Sequence, residues 1–191
     1  MKSALVLVAL VSACTTPMDL ARDVPIATGA TFDLLPPSAL GRSVALEQTV
    51  EARTEGRSDS MDCVLEVDPE ELRLVGLMPF GAVAFTVLLD ASGVHVDIPF
   101  GGRLPADPRR ILADIQLSLW PAITTLEGLD VIERSTRVGD RERVLMRGDL
   151  EFVRIRYTSH GLPWEGPIEF EHVEGGYTLI IRTVRWETLD P

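Results

Sequence analysis

Lysine is nearly absent from this 191-residue chain. Lys2 is the only one, so every later positive charge is an arginine, and 29 acidic against 18 basic residues leave a formal charge of −11. Such a balance argues against a nucleic-acid surface, which needs clustered cations, and against purely electrostatic docking on an anionic bilayer. Cysteine is scarce as well: Cys14 and Cys63 are too few for a disulfide framework or a metal cluster. The three histidines are scattered and show no metal-ligand spacing. There is no internal repeat, low-complexity tract or long charge run. GxSxG, a P-loop, a strand-borne GxGxxG, HExxH and CxxC are all missing. Ser159 and His160 adjoin, but neighbours on an extended chain point opposite ways. The chain therefore reads as a non-enzyme, with no cofactor and no metal.

What is present is apolar. A hydrophobic fraction of 46% excludes general disorder, and the length suits one domain with a real core. Residues 1–13 have the form of a signal peptide: Lys2 as a short positive region, an apolar run from Ala4 to Val11 too short to span a membrane, then the small residues Ser12 and Ala13 before Cys14. An ordinary secretory signal followed by a chance cysteine is the plainer alternative. Residues 14–35 lack a clean period and read as a tether, leaving 36–191 as the folded domain.

Alternating runs predict strands at 43–53, 58–68, 72–77, 82–89 and 94–98, with a hairpin turn at Thr54-Glu55-Gly56-Arg57. In the second run Met61, Cys63, Leu65 and Val67 share one face, so Cys63 is expected to be a buried thiol. Met78-Pro79-Phe80-Gly81 forms an apolar turn between two strands, and Phe80 at its tip is either exposed or folded back on the core. Asp107 and Pro108 start a helix that runs to Trp120 and stops before Pro121. Its apolar stripe is Ile111, Leu112, Ile115 and Leu119; Arg109, Arg110, Asp114, Gln116 and Ser118 form the polar side. Periodicity alone does not separate a helix packed as plain core from a lid over a cavity. Five more strand-like runs follow, at 130–136, 142–146, 151–158, 168–174 and 177–186. Many sequential strands and one strong helix give a mainly β (α+β) fold: an antiparallel sheet curled around the helix.

Two stretches carry a family resemblance. Leu10-Val11-Ser12-Ala13-Cys14 resembles the bacterial lipobox, in which the chain is cut before the cysteine and the cysteine carries lipid. The Pro-Phe-Gly turn, followed by Leu104-Pro105-Ala106-Asp107-Pro108-Arg109-Arg110 and a helix closing on Leu119-Trp120-Pro121, resembles a family of bacterial lipoproteins catalogued as a domain of unknown function and similar in fold to LolB. The resemblance covers roughly residues 40–186 and implies the LolA/LolB fold, an unclosed antiparallel barrel with a helical lid over an acyl-chain cavity. It also implies that the loop of Met78, Pro79, Phe80 and Gly81 meets the membrane, with Phe80 where LolB has a leucine. Burying a Phe in lipid is worth roughly 1.5–3 kcal/mol.

The expected function is binding of the acyl chains of a lipoprotein or lipid and their delivery to the outer membrane. The protein would be a monomer anchored through Cys14 on the periplasmic face, with a LolA-like carrier as a possible partner. Thr15, rather than aspartate, after the cysteine favours the outer membrane. Alternation nominates Leu65, Val67, Leu74, Phe85, Val87, Leu89, Leu112, Ile115, Leu119, Ile155 and Tyr157 as the cavity lining. The alternative is a structural or interaction lipoprotein with a packed core and no ligand.

Overall fold

Ten strands pair in one antiparallel sheet whose two outermost strands do not meet. The structure, a computed structural model, describes residues 21–99, 103–121, 123, 126, 128–135 and 140–189; Cys14 and the signal peptide lie outside these. The chain opens with a small hairpin, β1 (Asp23–Ala27) and β2 (Ala30–Asp33), and a 3-10 turn at Pro37–Leu40. The first half of the sheet is β3 (Val44–Thr54), β4 (Arg57–Val67), β5 (Leu72–Leu77), β6 (Val83–Asp90) and β7 (Gly93–Asp97). Helix α1 (Pro108–Leu119) follows, then β8 (Asp130–Ser135), β9 (Arg141–Arg147), β10 (Leu150–Tyr157), a 3-10 turn at Pro163–Glu165, β11 (Ile168–His172) and β12 (Tyr177–Thr188). The order across the sheet is β7-β6-β5-β4-β3-β12-β11-β10-β9-β8. The last strand thus closes on the first of the main sheet, joining two meanders into one curled surface.

Register explains why the concave face is apolar. One rung reads Leu46, Leu65, Leu74, Val87, Val96 across β3 to β7, and the next reads Val44, Val67, Leu72, Leu89, Val94. With a side-chain period of two, each rung places its residues on one side. Apart from half-buried Val96, all are buried in the main core. On the convex side of β9, β10 and β11, Arg154 pairs with Glu151, Glu142 and Glu171, and Arg156 with Glu142 and Glu169. The arginines there serve cross-strand pairs rather than a cationic patch.

Two expectations change. Residues 23–33, taken as tether, form the β1–β2 hairpin, with Val24, Ile26, Ala30 and Phe32 buried in the main core. The folded domain therefore starts at about residue 22, not 36. Two prolines and a short, irregular alternation hid the hairpin. Second, the helix has no solvated polar side over its C-terminal half: Asp114, Gln116 and Ser118 are buried. The N-terminal hairpin and the segment after it cover what periodicity assigned to water. Ile111 and Ile115, assigned to the buried stripe, are only partly buried.

Candidate functional site

The turn between β5 and β6 is the first element of the site. The Gly81 N–H donates to the Met78 carbonyl (3.0 Å), and the Met78 N–H to the Ala82 carbonyl (2.8 Å). Pro79 occupies the second position of this turn and Phe80 the third, with φ at +76°. That is the geometry of a type II turn, whose third position favours glycine. Phe80 is the one non-glycine residue with positive φ among those described, and its side chain is fully exposed at 107%. Met78 beside it is 37% exposed. A side chain in the left-handed region costs about 1–2 kcal/mol, and an exposed Phe recovers none of it within the domain.

The second element is the apolar interior. Leu65, Val67, Leu74, Phe85, Val87 and Leu89 lie on one face of β4, β5 and β6, and Leu112, Leu119, Ile155 and Tyr157 approach from the helix and β10; all are buried in one cluster, with Ile115 at its partly exposed border. Two of these side chains are committed to named neighbours. The Phe85 ring lies over Gly76 on β5, where an added Cβ would collide with it. The Tyr157 hydroxyl donates to the Ser118 carbonyl at 2.9 Å. Cys63 is buried and free, its thiol pushed up to about 11 by desolvation, which makes it inert.

Polar side chains on the concave face tie the helix and the N-terminal hairpin to the sheet. Arg143 donates to the Leu117 carbonyl (2.5 Å) and pairs with Glu133, so with Tyr157 it caps the last turn of α1. The Gln116 amide accepts from the Leu35 N–H and donates to the Leu35 carbonyl. Tyr177 donates to Asp114 (2.6 Å), and the Arg110 Nε reaches both Asp114 and the Tyr177 hydroxyl. Burial raises Asp114 to about 6, against the opposing pull of Arg110 and the Tyr177 hydrogen bond. Arg110 also donates to the Pro25 carbonyl of β1.

His172 stacks on Tyr177, donates from Nε2 to the Ile26 carbonyl and accepts the Gly175 N–H at Nδ1, both at 2.6 Å. These partners define a neutral imidazole, and burial lowers its pKa. Arg143, His172 and Tyr177 sit at inward strand positions where alternation predicts apolar side chains, and that mismatch is the signal the sequence holds for them; Arg110, Asp114 and Gln116 read from the sequence only as the polar side of the helix.

Among the described residues one Ser–His–Asp grouping appears, at the β6–β7 turn. The Ser92 hydroxyl lies 2.7 Å from the His95 Nε2 but donates to Asp90, and Asp90 approaches the same ring nitrogen at 3.3 Å. A catalytic triad needs the acid on the other ring nitrogen, so this wiring closes a turn. Among the described residues no group of three His, Cys, Asp or Glu side chains could hold a metal ion, and no helix is long and apolar enough to cross a membrane.

A family model described as a protein of unknown function, DUF3261, matches residues 45–185, most of the sheet and the whole helix. The chain belongs to the DUF3261 family. No curated protein matches this DUF3261 chain. Among solved structures it is similar to a LolA superfamily protein from Nitrosomonas europaea, at 9% identity over 83% of this chain and 93% of that one, with a TM-score of 0.42. It is also similar to a DUF1329 family protein from Desulfovibrio piger, at 11% identity over 77% and 85% of the two chains, with a TM-score of 0.31. A domain from Vibrio parahaemolyticus named for outer-membrane lipoprotein sorting shares 7% identity over 77% and 85%, with a TM-score of 0.36.

Proposed function

We propose that this DUF3261 protein binds the acyl chains of a lipoprotein or lipid and helps to deliver them to the outer membrane, anchored on its periplasmic face through Cys14. The observation that carries the reading is Phe80. A glycine would relieve the turn, yet the position holds a large aromatic that touches nothing in its own domain. An apolar wedge gains free energy only where another apolar phase meets it. Beneath the turn, β4 to β6 carry the apolar rungs on which acyl chains would lie, with α1 as the cover. No bond is made or broken; cargo moves between apolar environments. A LolA-like periplasmic carrier is the corresponding donor, and the protein acts as a monomer.

A second reading, a packed interaction lipoprotein, is favoured by a specific observation: Phe85 fills the space over Gly76 and Tyr157 is engaged with the helix, so part of the nominated lining is closed by its own side chains. Titration with a fluorescent acyl probe, followed by its transfer to vesicles, separates the two. The carrier reading expects saturable uptake, with Phe80→Glu keeping uptake and slowing transfer at least several-fold. Absence of uptake supports the packed reading.

A further inference from the structure

The root of the tether and the Phe80 tip lie at the two ends of one strand. Phe80 stands just before β6. Arg22, where the described chain begins its fold, donates to the Asp90 carbonyl at the other end of β6 (2.7 Å), and its own carbonyl accepts the Leu34 N–H. Arg22 also shares a shallow surface depression with Pro69, Glu70, Glu71 and Ala91, at the end of the sheet away from Phe80. β6 has eight residues, so root and tip are roughly 25 Å apart or slightly more. The eight residues from Cys14 to Arg22 can span at most about 29 Å.

β5 stops where Leu77 pairs with Asp62, but β4 continues to Arg57, paired with Thr54 of β3. Along the strands the β3–β4 hairpin therefore overshoots that rung by five residues, about 17 Å. Phe80 passes the same rung by three residues of a tight turn, about 10 Å at most. The hairpin tip carries Arg53, Glu55, Arg57 and Asp59, all exposed, which is no composition for entering lipid. With the strands upright on a bilayer, this charged tip would arrive first and hold Phe80 away, while the tether would be stretched to its limit.

Resting on the proposed anchoring and Phe80 contact, we infer that the domain lies against its bilayer along β6, with the free edge at β7 turned toward the lipid surface and the β3–β4 hairpin in water. Inclining the sheet toward the β7 side lowers Phe80 below the hairpin. It also brings Arg22, which sits beside the β6–β7 turn, within easy reach of an eight-residue tether. One rotation thus satisfies both constraints. Among the described residues β7 is the outermost strand on that side, and hydrated headgroups can bond the outward backbone groups of such an edge.

The test uses the full lipidated chain in phosphatidylcholine vesicles containing nitroxide-labelled lipid. Single environment-sensitive labels are placed at Ala82→Cys beside the tip, Ala91→Cys beside the root and Glu55→Cys on the hairpin; buried Cys63 stays unlabelled. Side-on contact expects quenching at 82 and 91 to exceed that at 55 by at least twofold. Strong quenching at 82 and 55 with none at 91 means an upright domain and overturns the inference. Quenching at 91 alone means that Phe80 faces away from its own membrane, and it overturns the inference equally. A full chain whose mass shows no acyl groups removes its basis. Uptake of an acyl probe by the same preparations is read separately, so a failed posture with intact uptake leaves the carrier reading standing.

Discussion

Tyr177 on β12 donates its phenolic hydrogen to Asp114 on α1 across 2.6 Å, both side chains being largely removed from water. With Arg110 and His172, the pair joins helix, sheet and N-terminal hairpin at one point, and two of its members titrate in opposite senses.

The folded state holds the Asp114 proton more tightly than the unfolded chain does. The group's stabilising contribution is full below about pH 4 and is lost as pH rises through about 6, a change on the order of 3 kcal/mol. His172 is lowered, so its contribution is present above about pH 6.5 and falls away on acidification. Urea denaturation across pH 4–8 separates them. His172→Gln should leave a protein that weakens as pH rises, and Asp114→Asn one that weakens as pH falls. The opposite slopes would refute the assignment.

Phe80→Gly should make the domain more stable, by about 1 kcal/mol, because glycine accepts the positive φ without strain. The same variant should bind vesicles less well. Thermal melts and vesicle flotation read the two effects. Lower stability in the glycine variant would show that Phe80 rests on its own domain.

Gly76→Ala should cost about 1–3 kcal/mol, since the new methyl meets the Phe85 ring with Met61 behind it. Adding Phe85→Leu should restore part of the loss. A double-mutant cycle with no coupling would contradict the contact.

Tyr157→Phe removes one hydroxyl and leaves the Ser118 carbonyl buried without its donor, at a cost of about 1–3 kcal/mol by denaturant titration. Acyl-probe affinity should be unchanged, because the hydroxyl is turned to the helix.

The ten strands of the main sheet and the helix were legible within about two residues at most boundaries, because β3 to β6 alternate over most of their length, Gly-containing turns separate several of the later strands, and Asp107-Pro108 and Pro121 bracket the helix. The β1–β2 hairpin was not legible: its four buried residues alternate over strands of five and four residues, too short to stand out beside two prolines. The buried polar side of α1 was missed for the same reason. Asp114, Gln116 and Ser118 look solvated until the hairpin that covers them is known. The Phe80 turn could be read because Pro-Phe-Gly is a turn with the wrong residue at its tip. Which inward side chains are committed to neighbours, as Phe85 is to Gly76, depends on register across strands and cannot be read along one.

An interior that accepts acyl chains should retain them through purification or take them up when they are offered. Native mass spectrometry of a soluble form beginning after Cys14, with solvent extraction of the same sample, tests it most directly. The expected result is bound species that match an extractable acyl lipid, or stoichiometric uptake of an added fatty-acyl probe. A clean apo mass that persists in the presence of excess probe would contradict it.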